Sequence, residues 1–461
     1  MRIKLILAAS KSDPMRKNDP FMPLSLPLLA ASAPNHDYTL VDMLWEDISN
    51  TNDKVDLVGI SARHTAEKTA YKLADSYRSR NIPVILGGAQ ISMMPYEAKQ
   101  HADAVVIGEA ENLWPVILAD LQNNNLKSFY VCSPEPFDGH NEQVFQLPSL
   151  PDLSNIAPPL RSLYKKHYSF DTVFASRGCP IGCDFCCVSK IFGTKERLRP
   201  AEQVVSEIDS FKNYYYLLDD TVFGRPKTYD YYLNLYKRIA KLRKRRFWIG
   251  QGNIDAAANE AGRDVIRAAA DSGLIYAALG MESINPAVLS SSGALSKMGA
   301  GSNIVLLDQL HKNLDFIQSQ GIFTSGWFVV GYDDDDLGTY QSTLDFCDAA
   351  GLVPVIMPVY ALPGTKLYNK AQSENRLDNS RFINFRNARM PQDKVIPLVK
   401  DIMTRGYSWQ RCIDRTLRFL KTTRGKSVNT RIHTAIFSLI LQRKMRPGME
   451  MWKPFESGEL L

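Results

Sequence analysis

Apolar residues along the first third of the chain come in short runs that alternate with stretches of helical periodicity. Strand-like runs cover 3–9, 38–43, 57–61, 84–86 and 104–107, and helix-like stretches cover 24–33 and 67–80. That alternation predicts a parallel sheet with crossover helices. Ligands of such sheets sit beyond the carboxyl ends of the strands. Here those ends carry Ser61, the pair Gly87-Gly88, and Gly108-Glu109-Ala110-Glu111, where small residues let backbone amides approach a ligand closely. Tight strand-to-helix turns also use glycine for steric reasons, so the two readings stand side by side.

Between about 133 and 159 the chain is rich in Pro, Asn and Asp and loses its periodicity, as a linker would. A second α/β series follows, with strands expected over 172–176, 214–218, 247–251, 276–281, 324–331 and 354–359. Helices are expected between them over 201–211, 227–242, 262–272, 303–320 and 338–350. Six strands with five intervening helices describe most of a parallel barrel. The expected fold class is therefore α/β. A doubly wound, Rossmann-like domain covers 1–135, a linker 136–165, a partial (β/α)6 barrel of TIM type 166–370, and a basic helical region 371–461.

The chain has 461 residues, more than one hydrophobic core usually serves, which agrees with several domains. No run approaches the roughly 18 uninterrupted apolar residues of a membrane span. Basic residues precede the apolar start of the chain, but the run is short and charged residues follow it, so a first buried strand is the better reading than a signal peptide. Seven cysteines, an odd number with three packed close together, point to metal or redox chemistry in a reducing, cytoplasmic setting. The net charge of +6 is uneven: 411–446 holds ten Lys or Arg against Asp414 alone, a local +9. With apolar clusters around it, that segment suggests either a helical cap on the barrel or a helix lying in the headgroup layer of a membrane. Aromatic residues are too sparse there for a nucleic-acid stacking platform.

The chemistry concentrates in Arg177-Gly178-Cys179-Pro180-Ile181-Gly182-Cys183-Asp184-Phe185-Cys186, which places three cysteines at C-x3-C-x2-C directly after the first barrel strand. Three thiolates on one loop ligate three corners of a four-iron cluster, and the fourth iron keeps an open site. A closed zinc site needs a fourth Cys or His at its own spacing, and none is well placed. Cys187 adjoins Cys186, and Cys132, Cys347 and Cys412 are isolated, as small buried hydrophobes are.

This loop, with Phe185 before the last cysteine, resembles that of the radical S-adenosylmethionine (SAM) superfamily. Further matches follow in family order. Leu218-Asp219-Asp220-Thr221 resembles the second-strand motif of the subgroup that carries an N-terminal cobalamin-binding domain, and Leu279-Gly280-Met281-Glu282-Ser283 resembles its fourth-strand motif. Gly326 to Gly331 resembles the strand beside the adenine, although Tyr332-Asp333-Asp334 replaces the usual proline-glycine-glutamate. Tyr360 to Thr365 matches the turn near the barrel's end.

The resemblance implies a 4Fe-4S cluster on Cys179, Cys183 and Cys186 that cleaves SAM reductively to a 5′-deoxyadenosyl radical. It makes Phe185, Glu282, Ser283 and Gly331 candidate SAM contacts. Asp219 and Asp220, at the second strand's carboxyl end, face the same cavity, unless they lie in a solvated loop or cap the next helix. Gln251 and Asn253, at the end of the third strand, contact SAM or substrate, unless they bond only local backbone. Ser61, Gly87, Gly88, Gly108 and Glu109 would then meet a cobalamin. No Asp-x-His-x-x-Gly follows the first strand, so a histidine-ligated cobalt is not supported. The leading functional reading is cobalamin-dependent methylation of an unactivated carbon on a small-molecule or lipid-linked substrate, fed by a one-electron reductant such as flavodoxin or ferredoxin. The alternatives are non-methylating radical chemistry with an empty first domain, and a non-catalytic iron-sulfur protein.

Overall fold

In the computed structural model, residues 1–13, 15–48, 54–298, 307–378 and 384–445 are described. The first sheet consists of β1 (Arg2–Leu7), β2 (Asp37–Asp42), β3 (Leu57–Ser61), β4 (Val84–Gly87), β5 (Ala104–Gly108), β6 (Phe129–Cys132) and β7 (Val144–Gln146). Its order is β2-β1-β3-β4-β5-β6-β7, with every pairing parallel. Helices α1 (Ser25–Ser32), α2 (Glu67–Arg78), α3 (Ala89–Met93), α4 (Pro95–Gln100) and α5 (Trp114–Gln122) accompany it. Both faces are covered, which is why its strands read as continuous apolar runs. Ile6, Ile60 and Leu86 pack towards Ala70 and Tyr77, while Leu5, Leu57 and Ile85 pack towards Leu26 and Ile117. The segment expected as a linker contributes β7 to this sheet before the chain crosses over.

The second sheet runs β15-β14-β13-β12-β11-β8, all parallel and in chain order. Its strands are β8 (Asp171–Val173), β11 (Tyr214–Leu217), β12 (Phe247–Gly252), β13 (Leu274–Glu282), β14 (Phe323–Val330) and β15 (Val353–Pro358). A two-residue ribbon of β9 (Ser176–Arg177) and β10 (Arg197–Leu198) brackets the cysteine loop and α6 (Val188–Phe192). Helices α7 (Ala201–Asp209), α8 (Tyr229–Ala240), α9 (Glu260–Asp271), α10 (Pro286–Ser291), α11 (Leu307–Ser319) and α12 (Leu337–Ala350) follow, and α13 (Lys366–Ser373) closes the series. The first residues of the helix expected over 303–320 lie outside the described residues.

This is a six-stranded partial barrel whose lumen stays open. Along the strands, residues on the helix side are buried, whereas Tyr216, Gln251, Ala278, Gly280 and Met357 keep partial exposure. Trp327, in the middle of β14 with a strand on either side, is 43% exposed. A central strand exposes a tryptophan only towards such a lumen.

The C-terminal region forms α14 (Gln392–Gly406), α15 (Trp409–Thr422) and α16 (Val428–Met445). α16 covers the amino ends of the barrel strands: His433 stacks on Phe247 at 4.3 Å between centroids, and Phe437 meets Tyr276 at 5.5 Å and Phe170 at 6.3 Å. The cysteine loop lies at the opposite, carboxyl ends. No helix among the described residues is long and apolar enough to cross a membrane.

Candidate active site

The cysteine loop is held by backbone before any cofactor is considered. Gly178 has φ +98°, and a Cβ there would come within 2.3 Å of the Lys195 carbonyl, so only glycine admits the crossing. The Cys179 amide donates to the Gly193 carbonyl at 3.2 Å, and the Cys186 amide to the Cys183 carbonyl at 3.1 Å. Asp219, fully buried, accepts from the Ala175 and Ser176 amides at 2.6 and 3.1 Å and from the Tyr232 hydroxyl at 2.8 Å. It therefore faces the strand backbone beneath the loop and not the cavity expected from its position. Asp220 takes up the cavity role: it accepts from the Gly178 amide and lies near Cys179, Cys186 and Lys297. Burial pushes both carboxyls up to about 6.

Burial pushes the Cys183 thiol up to about 12, with the sulfurs of Cys186 and Cys179 raising it further, and the Cys186 thiol up to about 11, with Cys187 raising it further. Among the described residues no three Cys, His, Asp or Glu side chains converge on the geometry of a single metal ion. Three thiols at this spacing on one loop, with Cys187 only as the immediate neighbour of Cys186, fit the wider span of a four-iron cluster, in which each thiolate takes its own iron. Phe185 stands 6.4 Å from Tyr332, ring to ring, packing the loop against the end of β14.

Beside the thiols, the end of β13 departs from regular geometry. Its register against β14 shifts between Gly280 and Glu282, Glu282 has φ +57°, and the Ser283 amide closes onto the Met281 carbonyl at 2.6 Å. A glutamate held in the left-handed region by a three-residue turn is backbone strain of the kind found at ligand sites. The strain aims the Glu282 carboxylate at the Lys297 ammonium, 2.5 Å away. Burial works against the Lys297 charge, but Glu282 and the sulfurs of Cys183 and Cys179 hold its pKa above the ordinary value. Gly280 leaves room for this pair: a Cβ would meet the Glu282 carboxylate at 2.9 Å and the Lys297 ammonium at 3.0 Å, with the Asn253 side chain at 3.8 Å. The Asn253 amide nitrogen is buried with no hydrogen-bond partner. An orphaned donor, a carboxylate and an ammonium beside an open lumen suit the amino acid and ribose of SAM.

Two other expected contacts, Gly331 and Ser283, already have partners within the chain. The Gly331 amide donates to Asp335 at 2.8 Å and its carbonyl accepts from Asn387 at 3.0 Å. The Ser283 hydroxyl accepts from the Asn285 amide at 3.0 Å. Gln251 is half-buried on the lumen side of β12, with its carbonyl accepting from Val222 at 2.8 Å. Lys297 carries no signal in the sequence, because no spacing links it to the cysteines. Trp327 lies within the Gly326 to Gly331 motif, but only the barrel's curvature shows that it faces the lumen.

The first domain's glycines meet their strand ends as expected, and steric need explains Gly88 and Gly108. A Cβ on Gly88 would fall 2.6 Å from the Ala62 carbonyl and 2.9 Å from the Ser61 hydroxyl, and one on Gly108 only 1.8 Å from the Cys132 carbonyl. Gly87 has ordinary space, its virtual Cβ 3.5 Å from Val106. Glu109 does not point to a ligand. It is 1% exposed and pairs with Arg177 at 2.6 Å and with Arg197, while Glu111 pairs with the other side of Arg177. Burial disfavours the Arg177 charge, yet the two carboxylates outweigh it and hold its pKa above the ordinary value. The acidic pair therefore docks the first sheet onto the strand that leads into the cysteine loop. Next to this junction a cavity of about 400 Å³ is lined by Met93, Met94, Tyr96, Ile107, Phe137 and Ile191, with Gly364 of the barrel's last turn at its wall.

Residues 173–336 match the model of the radical SAM superfamily. That stretch of the chain is a radical SAM domain. The chain's cofactors are accordingly a 4Fe-4S cluster and SAM, and it is an enzyme. It is 29% identical over 377 residues, 77% of this chain and 75% of the relative, to the bacteriochlorophyllide d C-12(1)-methyltransferase of Chlorobaculum tepidum. In fold it is similar to the cobalamin-dependent radical SAM enzyme OxsB with aqua-cobalamin and SAM bound, at TM-score 0.67 and 15% identity, covering 100% of this chain and 79% of that one. It is likewise similar to the radical SAM methyltransferase TsrM of Kitasatospora setae with cobalamin and a [4Fe-4S] cluster bound, at TM-score 0.65 and 15% identity, covering 85% and 83%.

Proposed function

We propose that this enzyme methylates an unactivated carbon of a small molecule with an apolar body, with cobalamin as methyl carrier. The observation that carries the reading is the shared geometry of the two domains: the cavity beside Gly108 opens between the carboxyl edge of the first sheet and the loops of the barrel. Its volume admits part of a corrinoid, and its apolar walls with Ser133, Glu135 and Lys190 at the edge fit the mixed surface of one. Bound cluster and SAM supply the radical that removes hydrogen from the substrate, and bound cobalamin supplies the methyl group.

The chain's own residues do the rest. Cys179, Cys183 and Cys186 hold the cluster. Asp219 fixes the strand beneath their loop, and Asp220 braces the loop through the Gly178 amide. Glu282, Lys297 and the free Asn253 amide orient SAM. Trp327, Tyr216 and Met357 line the lumen with apolar surface that excludes water from the substrate's reacting carbon. The substrate class is a small or lipid-linked molecule, as a bacteriochlorophyllide is the substrate named for the relative above. Electrons come from an external one-electron donor of the flavodoxin or ferredoxin kind. Peripheral contact of residues 411–446 with a membrane completes the reading.

Anaerobic reconstitution tests it. The protein should take up about four irons and cleave SAM, and Cys183→Ala should lose both. A crude extract of the natural host, supplied as substrate, should yield a product heavier by one methyl group only when cobalamin is added. Cleavage of SAM that never yields such a product with cobalamin present would transfer the enzyme to non-methylating radical chemistry.

A further inference from the structure

The last two helices are built inside out. On α15 the polar Arg415 and Thr416 are buried beside Cys412 and Phe419, and on α16 the fully buried positions Thr434, Ser438 and Gln442 are all polar. Arg415 donates to the Gln442 side chain at 3.1 Å, and the Thr416 and Ser438 hydroxyls meet at 3.4 Å. Six large aliphatic side chains are exposed. Ile413 and Leu417 lie one turn apart on α15, and Ile432, Ile436, Leu439 and Ile440 follow helical spacing on α16, each between 45% and 59% exposed. Burying five polar side chains while leaving six large aliphatic ones in water reverses the normal order of a soluble helix pair, and a contiguous exposure of this kind marks a contact surface. α16 spreads its apolar residues around the helix, yet the barrel covers only the side that carries His433 and Phe437.

Resting on the reading of 411–446 as a membrane contact, we propose that this outer face seats the enzyme in the headgroup layer of an anionic bilayer, with the barrel mouth turned away from the lipid. Charge selects the occupant. Lys421, Arg424 and Arg443 are exposed around the apolar stripes and carry no ion pair among the described residues, with Asp414 the one acid on these helices. Two copies meeting through this face would set cations against cations, whereas anionic headgroups neutralise them and the acyl boundary takes the aliphatic stripes. The hairpin closes the amino ends of the barrel strands, so docking leaves the cysteine loop on the far side. The contact therefore anchors the enzyme and does not open its site into the bilayer.

The test is sedimentation of the reconstituted full chain with vesicles of phosphatidylcholine, with and without phosphatidylglycerol. Binding should appear with phosphatidylglycerol at low ionic strength and weaken as salt rises. Replacing Leu417→Asp and Ile436→Asp together should lower the bound fraction about tenfold or more, with iron content and circular dichroism unchanged. Leu337→Asp, equally exposed but on the first turn of α12 at the mouth, should leave binding intact. Undiminished binding in the double variant would overturn this inference while leaving peripheral attachment through another surface. Absence of sedimentation would remove both. A light-scattering mass of twice the chain that reverts in the double variant would assign the face to a second copy instead.

Discussion

Lys297 is the side chain whose removal says most about the site. It reaches Glu282 from a short helical turn that shares no motif with the cysteines, and it sits within electrostatic range of two of their sulfurs. Lys297→Met keeps the volume and removes the charge, leaving Glu282 buried without its partner, a condition that costs a few kcal/mol in buried pairs. Iron content should hold, because the three thiols are untouched, while the Kd for SAM measured by equilibrium dialysis rises at least about tenfold. An unchanged Kd would reduce Lys297 to a structural counter-ion. Asp219 shows the opposite outcome at this scale. Its place at a strand end suggested a ligand, but its oxygens go to three donors beneath the loop. Sequence position gives the strand end, and only the direction of the side chain separates a ligand from a brace.

At the scale of elements, the end of β14 is held by Asp335, which accepts from the Gly331 and Tyr332 amides at 2.8 and 3.0 Å. Burial pushes its carboxyl up to about 6, the two amides lowering it only in part. The folded pKa stands above the unfolded one, so this group's contribution to stability is fully present below pH ~4 and is lost as pH rises through about 6. Asp335→Asn keeps an oxygen for both amides and removes the titration. Thermal melts of the cofactor-free protein should therefore show the variant gaining on the natural chain between pH 5 and 7, by about 1–3 kcal/mol. Parallel curves would mean that the carboxylate is solvated. α12 was easier to foresee. Asp336 and Thr339 form a reciprocal cap at its start and Gly351 ends it in the left-handed region, all local signals. α16 lacks such simplicity, since its apolar residues point in every direction and the pattern alone does not say which side the barrel covers.

For the whole molecule the decisive contact is the buried network of Glu109 and Glu111 with Arg177 and Arg197. It joins residues 68 and 88 positions apart across the two domains, two residues ahead of Cys179. Glu109→Gln leaves two buried guanidinium groups short of a carboxylate, and urea unfolding should show a loss of about 3–5 kcal/mol. Iron retention during gel filtration should fall in parallel, because the network anchors the strand that leads into the cysteine loop. A loss below about 0.5 kcal/mol would place the network among solvated surface pairs.

The sequence by itself determined the two α/β series, the order of their strands along the chain and the cluster loop, because these rest on local periodicity, glycine positions and the spacing of three cysteines within one turn of chain. Tertiary structure alone decided that Glu109 binds arginine and not a corrin, that Lys297 meets Glu282, that Trp327 faces the lumen, and that the C-terminal helices turn apolar faces outward. Each of these depends on which side of a folded element a side chain occupies and on partners brought together from distant segments. Spacing along a chain does not encode that until packing has fixed the orientation of every element.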